Sequence, residues 1–270
     1  MRVEARLIAG IVSVWLLCGF SSSRVQFDSI AVYDKAETGQ VSGVLSRPEG
    51  KGPFPAVVLL HTCGGLTETM SQFWPRYLAQ LGYASLAVDT LSPRGMKNCR
   101  KTSRPFRAVV QMVGNDAYGA LHYLSRQPDV DGQRIAVMGM SLGGIAIAAF
   151  AGNDFKTPDG LNFKAAVNLY GHCASGAPGK TPPHPGDPKF PWLIALGEKE
   201  REASIESCRA LQGRPGVTFT LIEGAYHAFD DPRNAVSRED GAGNAMLYSE
   251  AATRKAQELI REFFGKHLAK

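Results

Sequence analysis

No block of lysine and arginine interleaved with aromatics occurs in the 270 residues, and the formal net charge is only +5. So mild and scattered a balance argues against a nucleic-acid-binding surface. No internal repeat and no linker divides the chain, so one large domain is expected, and the length suffices for a full core. Apolar residues make up 44%, too few for a multispan membrane protein and too many for a disordered chain. The uncharged apolar stretch over residues 7–20 is too short for a comfortable membrane span. It follows Arg2 and Arg6 and precedes Ser21-Ser22-Ser23, which is the shape of a secretory signal peptide. The expectation is a leader over residues 1–23, a mature domain over 24–270, a periplasmic or secreted location, and no stable membrane insertion after cleavage. Cys18 does not suggest a lipid anchor, because Leu17 stands where such signals need a small residue.

Cysteine is sparse. Of five in all, Cys63, Cys99, Cys173 and Cys208 fall in the mature part. An even count in an exported chain fits two disulfides, and four cysteines permit three pairings.

What the chain does contain is strands alternating with helices. Strands are expected over 27–33, 41–46, 55–60, 83–89, 134–140, 165–170, 191–196 and 217–222. Helices are expected over 71–81, 108–124, directly after Ser141, over 203–211 and over 245–268. Asp131-Gly132 reads as a turn, residues 92–107 as a basic loop, and 172–190 as a Gly/Pro-rich loop that could act as a lid. The alternation predicts an α/β fold with a mostly parallel central sheet covered by helices on both faces, its ligand site at the carboxyl ends of the strands.

One stretch stands out at such an end. Gly139-Met140-Ser141-Leu142-Gly143 matches G-x-S-x-G, with the apolar run Ile135-Ala136-Val137-Met138 before it and Ile145-Ala146-Ile147-Ala148-Ala149 after it. A serine at a sharp strand-to-helix turn has an exposed hydroxyl, and the next amide, Leu142 N–H, is free to bind an oxyanion. The blander reading is a helix-capping serine in a Gly-rich turn. A nucleophilic serine needs a base and an orienting acid. His227 follows the last strand and is the candidate base. Three carboxylates, Glu198, Glu200 and Glu202, follow the strand over 191–196 and compete for the acid. His61-Thr62-Cys63-Gly64-Gly65 follows an early strand, where the second oxyanion donor belongs, so the Thr62 or Cys63 amide is the candidate. Arg94, in the basic loop, is a candidate for meeting a substrate carboxylate.

Taken in order, Leu60-His61-Thr62-Cys63-Gly64-Gly65, Asp89-Thr90-Leu91-Ser92-Pro93-Arg94-Gly95, the G-x-S-x-G, Leu196-Gly197-Glu198-Lys199-Glu200 and Tyr226-His227-Ala228-Phe229 resemble the dienelactone hydrolase family of the α/β-hydrolase superfamily, from about residue 43 onward. The resemblance implies the α/β-hydrolase fold and selects Glu200 as the acid, with Glu202 as runner-up. It also implies neighbouring loops for Cys63 and Cys99, and for Cys173 and Cys208, hence those two disulfides. Two departures stand out: Ser141 where the namesake enzymes carry cysteine, and Glu200 where the family usually has aspartate. The expected activity is hydrolysis of a small-molecule carboxylic ester or lactone through an acyl-enzyme, with no metal or organic cofactor required. Rival readings are a non-catalytic binding or scaffold protein on the same fold, and a peptidase or thioesterase using the same triad.

Overall fold

The computed structural model describes residues 20–33, 35–174 and 186–269. Residues 1–19 of the expected leader, His184, and most of the Gly/Pro-rich loop lie outside the described residues. Eight strands form one sheet in the order β1-β2-β4-β3-β5-β6-β7-β8. They are β1 (Phe20–Asp28), β2 (Gln40–Pro48), β3 (Phe54–Leu60), β4 (Ala84–Asp89), β5 (Val130–Met140), β6 (Ala166–Leu169), β7 (Trp192–Gly197) and β8 (Val217–Ile222). Pairs β1/β2 and β2/β4 are antiparallel, and every other pair is parallel.

Strands β4, β6 and β7 are buried along their whole length because both sheet faces are covered. Along β3, Ala56, Val58 and Leu60 pack on the face that carries α2 (Phe106–Ser125) and α3 (Leu142–Phe150). Val57 and Leu59 pack on the opposite face with α1 (Trp74–Gln80) and α5 (Glu250–His267). Helix α4 (Glu202–Arg209) joins the first face through Ile205 and Cys208. Phe150, Phe264 and Trp74 are fully buried, and burying a side chain such as Phe stabilises by about 1.5–3 kcal/mol.

Several element boundaries differ from the sequence expectation. β1 begins at Phe20, so Ser21, Ser22 and Ser23 pair with Arg47, Ser46 and Leu45 instead of preceding the first strand. The strand is exposed over Ser21–Arg24 and shows no apolar alternation there. Asp131-Gly132 is no free turn but lies inside β5: Phe54 pairs with Val130 and Ala56 with Ile135, so the intervening residues form an irregularity in the strand. The helix expected over 71–81 is a π-helical turn, Thr69–Phe73, running into α1. The last helix starts at Glu250, not 245. Ser249 caps it by accepting from Ala252 N–H, and Ala245–Met246 instead form β10, paired with β9 (Arg238–Glu239).

The structure pairs Cys63 with Cys99 and Cys173 with Cys208, with Cα separations of 4.8 and 4.9 Å. The first ties the loop after β3 to the loop after β4. The second ties the segment after β6 to α4. No helix among the described residues is long and apolar enough to cross a membrane.

Candidate active site

Ser141 sits between the end of β5 and the first turn of α3, with φ 50° and ψ −108°. A non-glycine residue in that region is strained, and the strain persists because the surroundings over-determine it. Ser141 N–H donates to Leu169 O at 3.0 Å and Gly143 N–H to His61 O at 3.1 Å. A Cβ at Gly139 would collide with the Gly143 backbone, and one at Gly143 with the Leu60 backbone. The two glycines therefore permit the close approach that bends strand into helix.

His227 reaches Ser141 from the loop after β8. Its Nε2 lies 3.0 Å from Ser141 Oγ, and its Nδ1 lies 2.9 and 3.1 Å from the two carboxylate oxygens of Glu200. Glu200 is buried in the turn after β7, with its amide donating to Gly197 O. Glu202, the runner-up, opens α4 with its side chain 78% exposed near Arg209, and Glu198 is exposed and accepts from Gly224 N–H. Of the three carboxylates, only Glu200 meets the imidazole.

Burial alone would pull the His227 pKa down. The charge of Glu200 and its hydrogen bond outweigh burial and lift it above the ordinary 6.5. A protonated imidazole at His227 is thereby stabilised. The loop around His227 is fixed from several sides. Its N–H donates to Ala245 O, and the Tyr170 ring meets the imidazole edge-on with centroids 5.0 Å apart. Asp230, fully buried, accepts from Tyr170 Oη–H and Trp74 Nε1–H, both at 2.7 Å. Burial raises the Asp230 carboxyl despite those two donors. Tyr170 and Trp74 carry no local sequence signal, since the contact joins residues far apart in the chain.

The Leu142 N–H, at the positive end of α3, and the Cys63 N–H have no acceptor among the described residues. Thr62 is paired with Gly65 in an isolated bridge in which its carbonyl accepts from Gly65 N–H at 3.1 Å. Arg94 is not available to a substrate. Its guanidinium grips Asp116 at 2.8 and 2.9 Å, donates to Thr90 O at 2.8 Å, and is 5% exposed. The other histidines have separate settings. His122 lies on α2 beside Arg126, His267 packs tilted against the Phe263 ring, and His172 is driven by burial, with help from Arg100, to a pKa of about 4.

A mostly parallel sheet flanked by helices, with a serine at a strained strand-to-helix turn, defines an α/β hydrolase of the nucleophile-elbow type. More narrowly, the chain belongs to the dienelactone hydrolase family, whose pattern matches residues 41–268. Its relatives include a protein described as a putative carboxymethylenebutenolidase from Azospirillum brasilense, 24% identical over 243 residues, covering 86% of this chain and 96% of that one. Esterase FrsA of Escherichia fergusonii is 33% identical over 106 residues, which are 38% of this chain and only 23% of that protein. Among solved structures, a putative dienelactone hydrolase from Klebsiella pneumoniae superposes with a TM-score of 0.64 at 20% identity, covering 90% of this chain and 99% of that one.

Proposed function

We propose that the protein is a serine hydrolase of carboxylic esters or lactones. The observation that carries this reading is the unbroken chain from Ser141 Oγ through His227 to the buried Glu200, at 3.0 and 2.9 Å. In the proposed reaction Ser141 Oγ attacks the acyl carbon while His227 Nε2 takes its proton. The tetrahedral oxyanion is held by the Leu142 and Cys63 amides. Collapse breaks the bond to the alcohol oxygen, which receives the proton from His227. Water then attacks the acyl-enzyme, again giving its proton to His227; collapse breaks the bond to Ser141 Oγ, which takes that proton back, and the acid leaves. Glu200 keeps the imidazole in the Nδ1–H tautomer throughout. Dienelactone itself is a poor fit, because the namesake enzymes carry a glutamate in the segment that here holds His61-Thr62-Cys63 and a cysteine in place of Ser141.

The proposed compartment is the periplasm or the exterior. The basic-apolar-serine pattern of residues 1–23 and the two disulfides are both compatible with export. Cleavage after residue 23 would leave β1 paired to β2 from Arg24 onward.

The test is to quench the protein in acid within its first turnovers of a p-nitrophenyl ester and weigh it intact. A mass increase equal to the acyl group, absent in Ser141→Ala, is expected. Steady hydrolysis with no acyl adduct, undiminished in Ser141→Ala, would refute the mechanism.

A further inference from the structure

We propose that His61 is the positioning residue of the oxyanion hole: its ring fixes the orientation of the Thr62–Cys63 peptide and so aims the Cys63 N–H at the reacting carbonyl oxygen. The inference rests on the hydrolase reading above and assigns a role in it to a buried histidine that lies outside the triad.

His61 follows β3 and is buried, with two ring contacts that together define its state. Nδ1 lies 2.6 Å from Thr62 O, and a carbonyl can only accept, so Nδ1 carries the proton. Nε2 accepts from Thr90 N–H at 3.2 Å, so it carries none. Both contacts require the neutral ring, and burial keeps the His61 pKa below its ordinary value. The Thr62 carbonyl, which also accepts from Gly65 N–H at 3.1 Å, is therefore turned inward.

A trans peptide points its C=O and N–H in opposite directions. With Thr62 O drawn to His61, the Cys63 N–H of the same peptide must face the other way. It is left without an intramolecular acceptor among the described residues. The same stretch is tied to the elbow, since His61 O accepts from Gly143 N–H, two residues after Ser141. The Cys63–Cys99 disulfide and the Cys99 N–H bond to Cys63 O anchor the far side of the peptide. If the Thr62–Cys63 peptide flipped, a carbonyl dipole would face the oxyanion in place of an amide.

Two substitutions separate aiming from mere support. In His61→Asn the side-chain amide reaches the Nδ1 position and can still donate to Thr62 O. In His61→Gln the carbonyl oxygen reaches the Nε2 position and can still accept from Thr90 N–H, but no side chain donates to Thr62 O, which keeps only the Gly65 N–H. Both should lower Tm. Loss of an oxyanion donor costs about two to three orders of magnitude in rate. The expected result is a kcat for His61→Gln down by about 30-fold or more with KM nearly unchanged, and a kcat for His61→Asn within about fivefold of wild type. Equal kcat in the two variants, whether both near wild type or both falling in step with Tm, would overturn the proposal while leaving the hydrolase reading intact. A wild type inert towards esters and towards a fluorophosphonate would mean that the hydrolase reading itself had failed.

Discussion

Replacing Glu200 with Gln should separate two jobs of one buried side chain. The substitution keeps length and volume but removes the charge and turns one of the two oxygens facing His227 Nδ1 into an NH2 donor. If that donor faces Nδ1, the imidazole proton is forced onto Nε2, where it cannot receive the proton of Ser141. The corresponding change of acid to amide in a serine protease triad lowers kcat about ten-thousandfold, so a loss of about 10³ to 10⁴ is expected here. The second consequence has a sign. The folded His227 pKa lies above 6.5 because Glu200 overcomes the effect of burial. Without Glu200 burial gains weight, and the pKa falls. The base must be neutral to act, so activity rises with pH through this pKa. The acid limb of kcat/KM should lie above pH 6.5 in wild type and move to lower pH in Glu200→Gln. Hydrolysis of p-nitrophenyl butyrate between pH 5 and 9 reads both effects. A plateau within tenfold of wild type, or an acid limb that stays in place, would refute the reasoning. Glu202→Gln is the matched control and should behave as wild type, since that carboxylate is largely solvent-exposed.

Further outcomes follow from other parts of the fold. Arg94→Ala should destabilise the protein by about 3–5 kcal/mol, because it leaves the fully buried Asp116 without its partner. Denaturant titration measures this, and a raised KM at unchanged stability would instead mean that Arg94 binds substrate. Removing the Cys173–Cys208 bridge as a Ser pair, which opens a sequence separation of 35, should cost about 3–4 kcal/mol, read from the same titration under non-reducing conditions. His172 has a folded pKa near 4 against 6.5 for a free imidazole. Between those values the unfolded chain takes up a proton that the folded chain refuses, so this contribution is intact above pH 6.5 and lost as pH falls toward 4. His172→Gln should therefore lose less stability than wild type between pH 7.5 and 5, and an equal loss would assign the acid sensitivity elsewhere.

The elbow was legible in the sequence because its constraints are local. Gly139, Ser141 and Gly143 lie within five residues, and the strand and helix around them carry distinct apolar patterns. His227 was legible by topology, as a histidine at the carboxyl end of the last strand. The acid was only half legible. Three carboxylates follow β7 within five residues, and spacing alone does not reveal that the turn buries Glu200 while Glu202 opens α4 facing solvent. Arg94 misled for a related reason. Its partner Asp116 lies 22 residues on, among the buried residues of α2, so the cation reads as free in the sequence and is fully engaged in the fold. Tyr170, Trp74 and Asp230 were invisible as a group because their contact spans up to 156 residues. At the edges, the serines concealed the start of β1, which over Ser21–Arg24 has no apolar alternation to announce it. Ala245-Met246 read as helix because helix propensity does not register the hairpin partner at Arg238–Glu239.

The central claim is that Ser141 is an activated nucleophile. The direct measurement is reaction of the purified, folded protein with a fluorophosphonate probe, followed by peptide mapping, with Ser141→Ala and His227→Ala alongside. The account predicts stoichiometric modification of Ser141 in wild type, none in Ser141→Ala, and strongly slowed labelling in His227→Ala. A folded wild type that does not react, or that carries the label on another residue, would contradict it.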